Sequence, residues 1–489
     1  MSTSPKKPKT KSAAYKKVDI VNVHLWGKHI GAVALDPTWG FYVFEYTPAF
    51  ASLGIEPAPM QMPVLPGATY MFTDLPEATF KRLPAMLADT LPDDFGNALI
   101  DRYTAQKGLD KASVTALDRL AYMGNRAMGA LEYKPTRSPP KQKPSAIVLS
   151  DLVTQARQAV QGTLDEDDHA HAALRSILDV GTSAGGARAK AVIAWNPDTQ
   201  EIRAGQLEAQ DGFEHWLLKF DGMGSDNELG SRSDDGRIEY AYSLMAKDAG
   251  VSMSACRLLE ENGRAHFMTQ RFDRGPGNTR HHMQTLCAMN HLDYKKKGTN
   301  SYEQLFATLD RLALPYEQKE EAYRRMVFNV VGKNCDDHTK NISLRLRQGQ
   351  RWELAPAYDI SFAHNPKGEW AHQHLMSING RFKDFTRPDL LQLANRFGIG
   401  TASAVIDQVV SSIAQWPTFA AQAGVKNDLA DDIAGFHLLT LGRWQPAQVV
   451  CDGGTQAVDA FAAQNSTLAP LTQSSGQALG QSFSIRPYA

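Results

Sequence analysis

The stretch EAYRRMVFNVVGKNCDDHTKNISLRL, residues 321–346, decides how the rest of the chain is read. Tyr323, Met326, Val327, Val330 and Val331 recur at helical spacing, so a helix buries one face here and ends at Gly332. Asp336, Asp337, His338, Lys340 and Asn341 then crowd a loop between that helix and an alternating segment. Loops held between packed elements are where reactive groups are commonly displayed. A strand–turn–strand pattern (ISLRL-RQGQ-RWELA) covers 342–355, and LAPAYDIS follows, with Asp359 eighteen positions beyond Asn341.

Asp336 and Asn341 are five apart. That is the separation of Asp and Asn in protein-kinase catalytic loops, where Asp accepts a hydroxyl proton and Asn ligates a metal. A second Asp after a hairpin bridges Mg²⁺ to nucleotide phosphates in such sites, because oxygen ligands suit that hard cation. Upstream, EHWLLKF (214–220) sets Lys219 in an apolar strand, which is costly unless an anion lies nearby. Glu239, in a helix expected at 236–249 and capped by Gly250, is a candidate partner; a lysine that snorkels from a sheet edge is the alternative. Before that strand, VGTSAGGARAKAVIAW (180–195) places Gly185 and Gly186 ahead of alternating residues, with Arg188 and Lys190 on one side of the strand. Such glycines let backbone N–H groups approach an anion, although a turn before a strand explains them equally well. Ala187 stands where a Walker A lysine would be, and there is no GxGxxG. Asp336 as a helix-terminus residue, Asn341 as a turn and Asp359 as a cap are structural readings of each motif taken singly. The order of all of them along the chain is what points to chemistry.

The remainder sets bounds. The chain has 489 residues, 43% of them hydrophobic, and its 52 Lys+Arg against 53 Asp+Glu leave a formal charge of −1. That excludes disorder for most of the chain and gives no whole-protein footprint for nucleic acid; no apolar run approaches the ~18 residues of a membrane span. Cys256, Cys287, Cys335 and Cys451 form no CxxC pair, so neither a disulfide framework nor a zinc ribbon is expected. The first apolar stretch, from Val18, carries Asp19, Asn22 and His24 and does not read as a secretory signal, which makes a cytoplasmic protein the expectation.

Residues 1–17 read as a disordered basic arm, and 18–72 as a small antiparallel β unit followed by helices at FGNALIDRY and 111–123. The run YKPTRSPPKQKPS (133–145), with four prolines, marks a linker and a boundary near 140. Helices at 149–161 and 169–178 and strands at 187–195, 201–205, 214–220 and 265–272 precede a mostly helical region from 281 to about 445; from Asp452 the composition suits a flexible tail. The fold class expected is α+β, a β-rich lobe followed by an α-rich lobe.

With these residues in view, the chain resembles the HipA-type serine/threonine kinases, the toxin component of HipBA toxin–antitoxin modules. The stretches that carry the resemblance are LADTLPDDFGNALIDR, SAGGARAKA, HWLLKF, EYAYSLMAKDAGV, MTQRFDR, HMQTLCAMNHLDY, FNVVGKNCDDHTKNISL, LAPAYDIS and HQHLMSINGR. The resemblance implies a bilobal protein-kinase-like fold: an N-terminal subdomain over 18–140, an N-lobe over 141–272, a helical C-lobe over 273–450, and a tail over 451–489. It implies ATP and Mg²⁺ as cofactors, Asp336 as general base, and Asn341 and Asp359 as metal ligands. Gly185, Gly186, Ala187, Arg188, Ala189 and Lys190 would cover the phosphates, and Lys219 would reach them. His338 and Lys340 would lie near the nucleotide, and Gln270, Arg271 and Phe272 would meet the adenine. Gln270 departs from the Glu common in the family. Ser183 aligns with the serine that family kinases autophosphorylate. The implied partners are a HipB-like helix-turn-helix antitoxin, through which DNA is met indirectly, and a protein substrate such as an aminoacyl-tRNA synthetase; no membrane is involved. A small-molecule kinase, and a non-catalytic nucleotide-binding partner of a DNA-binding regulator, stay open as alternatives.

Overall fold

The structure is a computed structural model that describes residues 16–92, 94–138, 146–161, 189–205, 208–222 and 234–442. The chain divides into a unit spanning Met1–Arg443 and a second unit, Trp444–Ala489, outside the described residues. The expected basic arm (1–15 of it), the helix at 169–178 and the tail at 451–489 also lie outside them.

The N-terminal part builds on the alternation in IVNVHL, which buries Val21, Val23 and Leu25 and turns the intervening residues outward. Strands β1 (Ile20–Leu25), β2 (Lys28–Leu35), β3 (Tyr42–Tyr46), β4 (Thr69–Tyr70) and β5 (Leu131–Lys134) form one antiparallel sheet in the order β4-β3-β2-β1-β5. The helices Asp94–Gln106 and Ala116–Met123 belong to the same part. The single helix expected over 111–123 is split: Lys111–Ser113 is one 3-10 turn, and the helix proper begins after Thr115. Its start is fixed by a capping box in which Thr115 Oγ1 accepts the Asp118 N–H at 3.1 Å and Asp118 accepts the Thr115 N–H at 3.0 Å.

The β-rich lobe is a second five-stranded antiparallel sheet, ordered β7-β6-β8-β10-β9. Its strands are β6 (Lys190–Trp195), β7 (Ile202–Ala204), β8 (Glu214–Lys219), β9 (Cys256–Glu261) and β10 (Arg264–Gln270). The helix Leu149–Gln161 lies where the sequence puts it. Strand β9 is an addition to the expected set. It is a half-exposed edge strand of mixed sequence, CRLLEE, joined to β10 by Asn262 and Gly263, both with positive φ (46° and 77°), as a two-residue hairpin turn requires. The helix Asp235–Asp248 packs on β10 closely enough that a Cβ on Gly236 would collide with the Ala265 carbonyl oxygen. Glycine there brings Glu239, one turn later, over the sheet.

The α-rich lobe contains Tyr302–Arg311, Tyr316–Val331, Arg387–Arg396, Ala402–Ala414 and Trp416–Ala423. In Tyr316–Val331 the residues Tyr323, Met326, Val327, Val330 and Val331 are all fully buried, and Gly332 caps the end. Each such side chain contributes about 1.5–3 kcal/mol by leaving water. Strands β11 (His282–Thr285), β12 (Asn300–Ser301), β13 (Ser343–Leu346), β14 (Trp352–Leu354) and β15 (Met376–Ser377) add a three-stranded sheet, β11-β13-β14, and a short parallel pair, β12-β15. The hairpin expected over 342–355 is β13–β14. The architecture is α+β and bilobal, with the N-terminal part fastened to the segment after β10: Gly129 N donates to Asp273 Oδ2 (2.7 Å), Arg274 Nη1 to Gly129 O (3.0 Å) and Trp26 Nε1 to Arg280 O (2.7 Å).

Candidate active site

Strand β8 ends with Lys219 in the sheet interior, and its amine needs an anion. It has two: Glu239 Oε1 from the helix Asp235–Asp248 and Asp359 Oδ1, 140 positions downstream. Lys190, at the start of β6 and paired in register with Lys219, holds Nζ 3.9 Å from Asp359 Oδ2. Two ammonium and two carboxylate groups thus share one enclosed cluster. Burial opposes charge on Lys219, but Asp359 and Glu239 outweigh it and hold its pKa above the ordinary lysine value. Burial likewise opposes charge on Asp359, and Lys190 and then Lys219 overcome it, keeping that carboxyl well below the ordinary range. Asp359 also has φ +52°, a left-handed backbone that a non-glycine residue adopts at a cost of about 1–3 kcal/mol and that clusters at functional sites.

The loop after Gly332 is held from several sides. Asn341 Nδ2 donates to Asp336 O at 2.7 Å across a 3-10 turn, Thr339–Asn341. The Asp336 carboxylate accepts Trp370 Nε1 at 2.7 Å, lies 3.7 Å from His338 Nε2, and leaves 37% of its side-chain surface open to solvent. Burial of the remainder raises its pKa, against the lowering effects of His338 and the Trp370 hydrogen bond. The result is a carboxylate that is reachable and more basic than usual.

Beside these groups is a cavity lined by Lys190, Gln270, Arg271, Phe272, Lys340, Asn341 and Asp359 among others, a mix of apolar walls and a few convergent polar groups of the kind that holds small ligands. Phe272 meets Tyr358 ring to ring at 5.6 Å, and Tyr358 OH donates to Lys340 O at 2.6 Å. Arg271 borders the cavity, but its guanidinium is spent on Asp273, at 2.9 and 2.7 Å. His338 packs against Tyr294 (5.0 Å) and Trp370 (6.3 Å) rather than lining this cavity. Ala189 is buried in the sheet core. Ser183, Gly185, Gly186, Ala187 and Arg188 lie outside the described residues. Among the described residues no three His, Cys, Asp or Glu side chains gather as a metal cluster. Asn341 and Asp359 nonetheless fit Mg²⁺: with Nδ2 given to Asp336, Asn341 has Oδ1 for a cation, and Mg²⁺ is usually held by one or two such oxygens plus substrate phosphates.

Two features carried no local signal. Asp337, in the same loop, is fully buried, accepting Tyr302 OH (2.8 Å), Leu375 N (2.7 Å) and His374 Nδ1 (2.8 Å). Despite burial, Asp337 and then Cys335 push His374 up to about 10. Cys335 lies 3.6 Å from His364 Nδ1; burial would raise its thiol, yet His374 and His364 bring it down to about 7. The second feature is that Asp89, Thr90 and Met128, from the N-terminal part, line the cavity too.

Residues 21–134 match the family described as HipA N-terminal domain, and residues 182–416 the family described as HipA-like C-terminal domain. Among solved structures, the chain is similar to HipA of Shewanella oneidensis MR-1, a toxin–antitoxin system protein in complex with HipB and its operator DNA. The TM-score is 0.60 at 18% identity, covering 86% of this chain and 96% of that one. The Helicobacter pylori proinflammatory kinase CtkA aligns over 53% of this chain and 91% of its own, with a TM-score of 0.32 and 11% identity. No individual curated protein matches. With both HipA domain families matched in order over most of the chain, this chain belongs to the HipA family.

Proposed function

We propose that the chain is an ATP- and Mg²⁺-dependent protein serine/threonine kinase and the toxin of a HipBA-type pair. The observation that carries this is the meeting of Asp359 with Lys219 and Lys190 beside a cavity, next to a loop whose Asp336 is open to solvent. Phosphoryl transfer asks a protein mainly for positioning and charge neutralisation. Asp336 takes the proton from the attacking hydroxyl, a role favoured by its raised pKa. Lys190 and Lys219 offer positive charge to the phosphates, and Glu239 keeps Lys219 in place. Asn341 and Asp359 would hold Mg²⁺, which would supply further charge neutralisation.

In this reading residues 18–140, 141–272 and 273–450 are the N-terminal subdomain, N-lobe and C-lobe, and Gly185 to Lys190 cover the phosphates, with Ser183 the autophosphorylated residue. The partner is a HipB-like helix-turn-helix antitoxin that carries this chain to operator DNA. The substrate is a translation component such as an aminoacyl-tRNA synthetase. No helix among the described residues is long and apolar enough to cross a membrane. The test is to incubate the purified chain with γ-labelled ATP and Mg²⁺ in cell extract and, separately, with a metabolite pool. Labelled protein bands, together with phosphate on Ser183 by peptide mass spectrometry, are expected. Label confined to metabolites makes it a small-molecule kinase; no transfer at all makes it a binding module.

A further inference from the structure

The walls of the cavity are not made by the two lobes alone. Asp89 and Thr90, just after the short helix Ala85–Ala88, and Met128 stand in it beside Lys190, Gln270, Asn341 and Asp359. Asp89 is anchored across 196 positions of chain: its Oδ2 accepts the Thr285 N–H at 2.7 Å and its Oδ1 accepts the Thr285 hydroxyl at 2.8 Å. Each carboxylate oxygen takes more than one hydrogen bond, so Asp89 keeps acceptor capacity toward the cavity. Thr90 is occupied otherwise, its hydroxyl lying 2.8 Å from Leu87 O and 2.6 Å from Tyr133 OH.

Strand register fixes where along the cavity this carboxylate stands. β11 pairs with β13 so that Met283 is opposite Arg345 and Thr285 opposite Ser343. Arg345 Nη1 donates to Phe272 O at 2.8 Å, and Leu286 N donates to Ile342 O at 2.8 Å. Met283 is therefore at the Phe272 end of the strand and Thr285 at the Asn341 end. Two residues apart, both present their side chains to the cavity. Asp89 and Thr285 thus share one cavity with the apolar side chains Met128, Leu217, Phe272 and Met283, suited to a base, and with Lys190 and Asp359, the charged groups suited to phosphates.

Resting on the nucleotide reading above, we infer that Asp89, oriented by Thr285, accepts the ribose hydroxyls of the bound nucleotide, so that the N-terminal part makes the site selective for ribonucleotides. A vicinal diol donates well to a carboxylate, and acidic side chains hold ribose hydroxyls in this way in dinucleotide sites. A site built to bond a hydroxyl discriminates against the analogue that lacks it.

Equilibrium titration of the full chain with ATP, 2′-deoxy-ATP and 3′-deoxy-ATP in Mg²⁺ tests this. Wild type is expected to bind ATP at least about tenfold tighter than one of the deoxy analogues. Asp89→Asn is expected to shrink that ratio severalfold. An Asp89 that only fastens Thr285 weakens all three nucleotides alike and leaves the ratio unchanged. That result, or a wild type that binds all three equally, overturns the inference and leaves the kinase reading intact. A wild type that binds no nucleotide overturns both. Should Asp89→Asn fail to fold, Thr285→Val, which removes the hydroxyl orienting Asp89, reads the same ratio.

Discussion

Replacing Lys219 with Met gives the sharpest quantitative consequence. The amine is 10% exposed and contacts Glu239 (4% exposed) and Asp359 (22%), while Lys190 Nζ stands 3.9 Å from Asp359. A charge pair at that distance attracts by about 4 kcal/mol at an effective dielectric near 20, so Lys190 still compensates Asp359, while Glu239 loses the ammonium it contacts. Breaking a buried pair from one side costs about 3–5 kcal/mol, and that is the expected loss at pH 7. The pH dependence follows from the shift directions. Asp359 is held below its unfolded value, so its contribution is present above about pH 4 and lost as pH falls through the lower folded value. Lys219 is held above its unfolded value, so its contribution persists until the pH rises past about 10. The deficit of Lys219→Met is therefore constant from about pH 6 to 9 and narrows as Asp359 takes up a proton toward pH 3. Urea unfolding followed by tryptophan fluorescence reads it, because Trp195 and Trp216 pack 5.5 Å apart in the same sheet. A deficit under about 1 kcal/mol at pH 7, or one that does not change down to pH 3, refutes the reasoning.

Three further outcomes are expected. Trp370→Phe removes the hydrogen bond that lowers Asp336, so the acid limb of the transfer rate moves to higher pH with the alkaline plateau kept; an unmoved limb in a pH–rate profile counts against Asp336 as the titrating group. His374 is raised to about 10 by Asp337, so its contribution to stability is complete below about pH 6.5 and is lost as pH rises toward 10. Cys335, brought down to about 7 beside it, gives up its proton over part of the same range, so wild type is expected to decline mainly above about pH 9, where the unfolded thiol is ionised too, and His374→Gln to be nearly flat there in unfolding experiments. Asn341→Ala is expected to raise the Mg²⁺ needed for half-maximal transfer by about tenfold or more, measured as a Mg²⁺ titration at saturating ATP; an unchanged requirement removes Asn341 from the metal site.

What could be seen in the sequence was whatever a local pattern encodes. The stripe from Tyr323 to Val331, the Gly332 stop and the hairpin after Asn341 are all periodicity and turn chemistry, and they appear where expected. The cost of burying Lys219 was enough to single out Glu239, because helix and strand are near neighbours in the chain. Strand β9 escaped notice because an edge strand of sequence CRLLEE has no clean alternation, although Asn262–Gly263 was a hairpin signal. Arg271 shows a different limit: its position beside the cavity was legible, but the turn of its guanidinium onto Asp273 was not. Asp89 lay beyond local reading altogether, since only the tertiary fold brings it to Thr285.

The central claim is that Asp336 acts on a hydroxyl while other groups hold the nucleotide. Its most direct test is single-turnover transfer of the γ-phosphoryl group from ATP by wild type and by Asp336→Asn, with ATP affinity measured on the same samples. The account predicts a fall of about 10²–10⁴-fold in transfer with affinity unchanged. Transfer by Asp336→Asn at the wild-type rate would contradict it.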